Sequence, residues 1–407
     1  MNSGSPEQRS DIRGAPADLL VTVLTPPGRG AVATVEVSGA AAARTVFRFF
    51  EPLAPAGEAN ADHARRDADS WPINRIVVGY WQSPVGREQV VCARRAADRF
   101  EVHCHGGRVA VAAIVESLVY AGAQRQDWRE WIARHETDPL AAAARVLLAE
   151  AQTLRAASIL LDQSQGALSR ALADVRRRIA ADDVPSATQL LQELAATASV
   201  GLHLVEPWRV VLAGPPNAGK SSLINALLGY QRSIIAPLPG TTRDVLTAHT
   251  AIEGWPVELA DTAGIVDSSD PLERAGVARA RGELATADLV LWLIASDGPL
   301  ESQLPVPEAI ATRAIVVRSK CDLLRGDSAR SSGPTSLPLI VTSAITGAGI
   351  PELLAAIARR LVPHPPAAAG AVIFTPQQRQ ACQQALDALA RHDLVSAERM
   401  LAELVAC

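Results

Sequence analysis

The residues with the clearest chemical potential form the run Gly214-Pro-Pro-Asn-Ala-Gly-Lys-Ser221. An apolar run, Arg209 to Ala213, precedes it, and a helical pattern, Ser221 to Leu228, follows it. In that context a G-x-x-x-x-G-K-[ST] pattern indicates a phosphate-binding loop. The alternative is a Gly-Pro turn without function, which the order of strand, loop and helix disfavours. Backbone N–H groups and the helix dipole would bind phosphate oxygens, and Lys220 would reach the β- and γ-phosphates. The predicted nucleotide contacts are Asn217, Ala218, Gly219, Lys220, Ser221 and Ser222, with Ser221 also a Mg²⁺ ligand.

Two further segments follow the loop at distances that suit the same site. Gly240-Thr-Thr-Arg-Asp244 offers hydroxyl groups, and we expect Thr242 to complete the Mg²⁺ shell and sense the γ-phosphate. Asp261-Thr-Ala-Gly264 ends an apolar strand, so Asp261 would support the metal through water. Each short segment alone is more often a plain loop; their order behind the phosphate loop favours a site. The predicted contacts here are Gly240, Thr241, Thr242, Asp261 and Gly264.

A second pair of segments indicates which base is bound. In Ser319-Lys-Cys-Asp322, the Asp322 carboxylate can accept hydrogen bonds from guanine N1 and N2, whereas adenine has no N2 donor. In Thr342-Ser-Ala344, a backbone N–H can bind the guanine oxygen. In GTPases the segment that corresponds to Ser319-Lys-Cys-Asp322 normally begins with Asn, whereas here it begins with Ser319. We therefore expect weaker affinity for nucleotides. The preference for guanine should be kept, because Asp322 is present. The predicted contacts are Ser319, Lys320, Asp322, Ser343 and Ala344.

Composition excludes several classes of protein. The chain has 407 residues, of which 48% are hydrophobic and 20% charged, and its formal net charge is -4. Nucleic-acid binding by bulk charge is therefore excluded, so any RNA contact would need a local basic patch. Five cysteines lack the spacing of a disulfide framework or zinc site. The N-terminus shows no apolar signal, and no stretch reaches the roughly 18 apolar residues that span a bilayer. We expect a cytoplasmic protein without membrane segments.

Patterns along the chain predict a multidomain protein. Alternating runs such as Leu20 to Leu24 and Val32 to Val37, with a helix at Val109 to Tyr120, indicate an N-terminal α+β domain over residues 1–120. Apolar residues three and four apart predict a helical domain over 121–205 that resumes over 363–407. Between them, at 206–362, strand and helix patterns alternate. That alternation predicts an inserted α/β P-loop GTPase domain with a doubly wound, mostly parallel sheet.

The chain resembles the bacterial tRNA modification GTPases, the MnmE or TrmE family. The resemblance rests on Pro216 to Asn225, on the Gly-Thr-Thr-Arg-Asp segment, on Thr25-Pro-Pro-Gly-Arg-Gly30 and on His105-Gly-Gly107. It implies a K⁺ ion beside the phosphates, held by Asn217 and by the segment Ala236 to Gly240. It also places the residue that orients the attacking water on Glu273, as a catalytic residue. By its residue type alone, Glu273 is more often a solvated helix residue.

The resemblance also implies a homodimer formed through the N-terminal domain, a flavoprotein partner, tRNA as substrate and formyl-tetrahydrofolate as one-carbon donor. Here the chain departs from the family. An arginine of the family becomes Glu36, a glutamate becomes Ala97, and the segment Arg125 to Trp131 does not align. The family's C-terminal F-C-I-G-K motif is absent, and the chain ends at Leu404-Val-Ala-Cys407, where Cys407 is more simply an incidental cysteine than a remnant. We expect the folate chemistry to be lost and the GTP cycle to be kept.

Two hypotheses follow from the sequence. The first is a potassium-stimulated GTPase, binding GTP and Mg²⁺, that acts in tRNA wobble-uridine modification. The second is a GTP-dependent switch or assembly paralogue that has lost folate-dependent modification. Folate binding separates the two.

Overall fold

The computed structural model describes residues 18–26, 30–53, 71–230, 247–261, 282–296, 306–323 and 339–406. The chain divides into two compact units, Met1–His135 and Glu136–Cys407. Several predicted functional residues lie outside the described ranges: Gly240, Thr241, Thr242, Gly264, Glu273 and the segment Ala236 to Gly240. Cys407 lies outside them as well. Among the described residues, no helix combines the length and apolar character needed to cross a bilayer.

The first unit is built on a mostly antiparallel sheet. The sheet has seven strands among the described residues, in the order β3-β4-β5-β6-β2-β1-β7. They are β1 Leu20–Val23, β2 Val32–Ser38, β3 Phe50–Pro52, β4 Ile76–Ser83, β5 Gly86–Ala96, β6 Arg99–His105 and β7 Gln124–Gln126. Helices α1 Ala42–Phe49 and α2 Arg108–Tyr120 supply side chains to the core on one face of the sheet. The alternation in β2 explains this arrangement, because Val35 and Val37 enter the core while Glu36 points to the other face.

The first unit ends later than the sequence predicted. Its predicted end was residue 120, whereas the structure extends it to His135. Strand β7 pairs in parallel with β1, and helix α3 Trp128–His135 follows at once. Trp131 of α3 donates a hydrogen bond to Glu36 of β2, which joins the helix to the sheet. The sequence missed this because β7 is the polar tripeptide Gln-Arg-Gln, which carries no alternation.

The second unit begins with a set of helices and ends with two more. They are α4 Pro139–Leu148, α5 Leu154–Ser164, α6 Ala167–Ala180, α7 Val184–Ala196 and α8 Ala198–Gly201, with α12 Pro376–Ala390 and α13 Leu394–Ala406 near the C-terminus. The chain that leads into α12 bonds to the early helices: Gln163 Nε2 donates to the Gly370 carbonyl at 2.9 Å, and Thr197 Oγ1 accepts from Ile373 N–H at 3.0 Å. The helical region therefore resumes after an insertion, as predicted.

The insertion contains a six-stranded sheet among its described residues, in the order β13-β12-β11-β8-β10-β9. Its strands are β8 Trp208–Ala213, β9 Thr247–Ile252, β10 Trp255–Asp261, β11 Leu289–Ala295, β12 Ala314–Ser319 and β13 Leu339–Val341. The helices are α9 Lys220–Tyr230, α10 Glu308–Ala311 and α11 Ile350–Leu361, with a 3₁₀ turn at Cys321–Leu323.

All strand pairs of this sheet are parallel except β9 with β10. Strand β8 is apolar on both sides, because Val210 and Leu212 enter one core cluster while Val211 and Ala213 enter another. A strand buried on both faces is typical of a doubly wound α/β sheet. The predicted fold class is therefore confirmed. The domain bounds at 205 and 362 stay predictions, because the helices and the sheet belong to one compact unit.

Candidate nucleotide site

A tight loop joins the end of β8 to the start of α9, and its backbone explains the residue types. Gly214 has φ +140°, and a Cβ there would lie 2.3 Å from the Leu293 carbonyl oxygen, so no larger residue fits. Gly219 has φ +87°. Asn217 has φ +62°, a left-handed conformation that Asn tolerates better than most residues. The residue types of the loop therefore match its three positive-φ positions.

Lys220 is the first residue of α9 and is only 8% exposed. Its ammonium group donates to the carbonyl oxygens of Gly214 and Pro215, each at 3.1 Å, so it lies across the loop. Burial lowers the pKa of Lys220, and the Asp261 carboxylate acts in the opposite direction. A cation held by neutral carbonyls in a partly dehydrated loop is placed to bind phosphate oxygens, which are stronger acceptors.

Ser221 and Asp261 meet beside the loop. The Ser221 hydroxyl donates to Asp261 Oδ2 at 2.6 Å. The second oxygen, Oδ1, is buried and accepts no hydrogen bond from any residue in the described ranges. Strand β10 brings Asp261 here because it pairs in parallel with β8, where Asp261 lies opposite Leu212. A hydroxyl and an unsatisfied carboxylate are the oxygen donors that Mg²⁺ prefers, so the pair fits a magnesium ion.

Asn217 lies between Gly214 and Lys220 in the phosphate loop. The residue is exposed, and within the described part of the chain its amide makes no hydrogen bond. A free amide oxygen next to the phosphate position fits a monovalent cation.

The predicted base-reading segments lie together at the ends of β12 and β13. Asp322 is exposed, and its Oδ1 accepts from the Ser343 hydroxyl at 2.5 Å. The Cys321 N–H donates to the Thr342 carbonyl at 3.0 Å, which ties the two segments to each other. Because β12 and β13 are parallel neighbours, both segments emerge at the carboxyl edge of the sheet, as does the phosphate loop after β8.

Ser319 links the base segment to the phosphate loop. It is 5% exposed, and its hydroxyl lies 2.6 Å from the Ala218 carbonyl oxygen and 3.3 Å from that of Ile294. The position that departs from the usual Asn thus keeps a direct bond to the loop.

Sequence reasoning missed two functional roles at this site. It assigned Ser343 only through a backbone N–H, whereas its side chain holds the Asp322 carboxylate. It also missed Ser296, whose hydroxyl donates to the Ser319 carbonyl at 2.5 Å. Ser296 follows β11 directly, and a polar residue at the end of a buried strand was the available signal. Ser222 is exposed on α9, and its role stays a prediction.

Comparisons with known proteins agree with this geometry. Residues 209–320 match the family described as 50S ribosome-binding GTPase, and residues 19–134 match the family described as GTP-binding protein TrmE N-terminus. A tRNA modification GTPase MnmE of Roseiflexus sp. (strain RS-1) is 32% identical over 412 residues, covering 91% of this chain and 88% of the relative. The chain belongs to the tRNA modification GTPase MnmE family.

Other relatives have the same name and similar coverage. The MnmE of Chloroflexus aurantiacus is 32% identical, with 91% of this chain and 88% of the relative covered. Among solved structures, the G domain of the T. maritima FeoB iron transporter is 28% identical and covers 38% of this chain and 99% of that chain, with a TM-score of 0.30. The family matches and the MnmE relatives confirm the predicted family and the predicted P-loop GTPase class.

The segments that carry the MnmE resemblance in the first unit lie against each other. Gly106, of the His-Gly-Gly segment, donates its N–H to the Ala31 carbonyl at 3.1 Å. A Cβ on Gly106 would lie 2.0 Å from the Gly30 carbonyl oxygen, so only glycine allows this approach. Residues 27–29 of the preceding loop lie outside the described ranges.

Glu36, the residue that departs from the family's arginine, is satisfied within the first unit. It is 2% exposed, its Oε1 accepts from Trp131 Nε1 at 2.6 Å, and its Oε2 lies 3.9 Å from Arg99 Nε. Burial raises the pKa of Glu36, while Trp131, Arg99 and His135 act to lower it. The Ala97 carbonyl accepts from Arg94 at 3.1 Å. Glu36 is thus a buried acid bonded to an indole.

Proposed function

We propose that this chain binds GTP with Mg²⁺, hydrolyses it, and uses that cycle in tRNA modification, as the names of its MnmE relatives indicate. The observation that carries the proposal is the Ser221–Asp261 pair with its unsatisfied buried oxygen, adjacent to the buried Lys220. These groups have the chemistry needed for a magnesium-bound triphosphate. Relatives of this kind also support a soluble cytoplasmic enzyme.

In this proposal each residue has one task. Lys220 binds the phosphates, while Ser221 and Thr242 hold the metal and Asp261 supports it. Bound Mg²⁺ would neutralise charge on the phosphate oxygens as the terminal bond breaks. Asp322 selects guanine, Gly264 offers its N–H to the γ-phosphate, and Glu273 orients the attacking water.

The test of hydrolysis uses the monovalent cation that Asn217 fits. GTP turnover is measured in KCl and in NaCl, for the natural chain and for Asn217→Ala. Turnover that is faster in KCl, with the preference lost in Asn217→Ala, supports the proposal. The matched control is Asn225→Ala, an exposed asparagine on α9. Equal rates in the two salts for the natural chain would remove the K⁺ role while leaving GTP hydrolysis intact.

The position of Glu36 does not offer a cation for formyl-tetrahydrofolate. The folate tail is anionic and needs a cation, whereas Glu36 is an acid already bonded to Trp131. This observation favours the second function, a GTP-dependent switch or assembly protein without one-carbon chemistry. Titration with formyl-tetrahydrofolate separates the two candidates, because binding at micromolar concentrations would exclude the second.

The cellular reaction is tested on tRNA itself. Mass spectrometry of the wobble uridine from cells lacking this chain shows whether modification depends on it. Loss of the modified uridine supports the first function, and unchanged modification supports the switch. Homodimerisation through the first unit and binding of a flavoprotein partner belong to the same proposal. Light scattering of the purified chain tests the dimer, and a monomer at micromolar concentration would exclude it.

A further inference from the structure

The Ser319 hydroxyl has a single proton, and the structure shows where that proton is used. Among the described residues, the hydroxyl has two hydrogen-bond partners, the carbonyl oxygens of Ala218 and Ile294, and neither can donate. The shorter distance, 2.6 Å, is to Ala218 of the phosphate loop. Ser319 is also 5% exposed and has one of the shortest polar side chains. It therefore has no donor left for a bound base.

The opposite situation holds at Asp322. Its side chain is exposed at the carboxyl edge of the sheet, and its Oδ1 is fixed by the Ser343 hydroxyl at 2.5 Å. Ser343 is fully buried, and its oxygen accepts from the Thr346 N–H at 3.2 Å, so the hydroxyl proton is directed at the carboxylate. A carboxylate held in this way keeps acceptor capacity for the two adjacent donors, N1–H and N2–H₂, of guanine.

We propose that this chain selects guanine at its N1 and N2 edge, through Asp322 positioned by Ser343, and leaves N7 unread because Ser319 is bonded to the phosphate loop. Ser319 and Ser343 are positioning residues, the first for the loop and the second for the carboxylate. The inference rests on the proposed binding of guanine nucleotides. It goes beyond that proposal because it predicts which purine analogues the chain accepts.

Two analogues of GDP test the two edges separately. In 7-deaza-GDP a C–H replaces N7, and in inosine diphosphate the N2 amine is missing. Dissociation constants are measured by calorimetry for GDP and both analogues. We expect 7-deaza-GDP to bind within about twofold of GDP, and inosine diphosphate to bind about tenfold or more weakly, because it leaves an acceptor of a charged group unpaired.

The variant Ser319→Asn restores an amide that is long enough to donate both to the loop and to N7. In this variant we expect 7-deaza-GDP to bind several-fold more weakly than GDP, a difference absent from the natural chain. In Ser343→Ala the preference for GDP over inosine diphosphate should shrink, because the carboxylate loses its fixed orientation. Thr346→Ala, in the same loop, is the matched control and should keep that preference. Misfolding would instead weaken all three ligands together.

The outcomes are distinct. Several-fold weaker binding of 7-deaza-GDP by the natural chain would overturn this inference and leave GTP binding intact. An unchanged preference in Ser343→Ala would remove Ser343 from base recognition. Failure of the natural chain to bind GDP at all would overturn both the inference and the proposed function.

Discussion

Both units bury charged side chains, and the partners of two of them, Lys220 and Glu36, differ in kind. Lys220 in the second unit and Glu36 in the first are 8% and 2% exposed. Burial shifts both away from the charged form, because it lowers the pKa of Lys220 and raises the pKa of Glu36. Lys220 bonds to two carbonyls of its own loop, whereas Glu36 bonds to Trp131 on a different element and lies near Arg99.

This difference separates a binding site from a structural contact. The carbonyl partners of Lys220 are neutral and local, so phosphate oxygens can replace them without unfolding anything. The partners of Glu36 lie on α3 and β6, so its contacts join packed elements of the first unit. A buried charge with exchangeable partners indicates a site for a ligand, and one with partners from packed elements indicates an internal bond.

Replacing Lys220 gives the largest expected effect. Lys220→Ala should weaken GTP binding by at least about a hundredfold, because charged hydrogen bonds to phosphate are lost. The melting temperature should fall only slightly, since the side chain makes two hydrogen bonds, both to carbonyls of its own loop. Calorimetry and thermal melting measure the two effects. A large loss of stability with GTP binding retained would make Lys220 a structural residue like Glu36.

Replacing Asp261 should have a smaller effect that is specific to the metal. Asp261→Asn keeps an acceptor for Ser221 but removes the charge, so the Mg²⁺ concentration needed for half-maximal GTP binding should rise about tenfold. Asp288→Asn is the control, because that carboxylate accepts from the Arg209 N–H and not from Ser221. An unchanged Mg²⁺ requirement in Asp261→Asn would exclude this carboxylate from the metal site.

The sequence predicted the phosphate loop well because its determinants are local. The apolar strand, the glycines and Lys220 lie within about a dozen consecutive residues, and their backbone requirements are visible as residue types. The tie between Glu36 and Trp131 could not be predicted in the same way. Those residues are 95 positions apart, and the polar strand β7 that places α3 gives no periodic pattern. Ser319 is intermediate: its motif was recognised, but its bond to Ala218 depends on how β8 and β12 lie in the sheet.

Replacing Trp131 with phenylalanine tests the hydrogen bond between Trp131 and Glu36 in the first unit. Trp131→Phe keeps a ring against His135 but removes the donor to Glu36, which should cost about 1 kcal/mol of stability. Urea unfolding measures the loss of overall stability, and hydrogen exchange of the β2 amides measures the local loss. Trp128→Phe, on the same helix, is the matched control. Equal protection of β2 in both variants would show that the Trp131 bond contributes nothing to the first unit.

The smallest effect concerns the pH dependence of stability. The pKa of Glu36 is raised above its ordinary value of 4.5 by burial, against the opposing influence of Trp131, Arg99 and His135. The folded chain therefore binds this proton more tightly than the unfolded chain, so Glu36 contributes less to stability as pH rises through the window above 4.5. Glu36→Gln removes the titration and keeps an acceptor for Trp131. Its melting temperature should gain a few degrees over the natural chain between pH 4.5 and 7. The control is Glu116→Gln, which replaces an exposed acid on α2. If the difference in melting temperature between Glu36→Gln and the natural chain did not change with pH, ionisation of Glu36 would not affect stability.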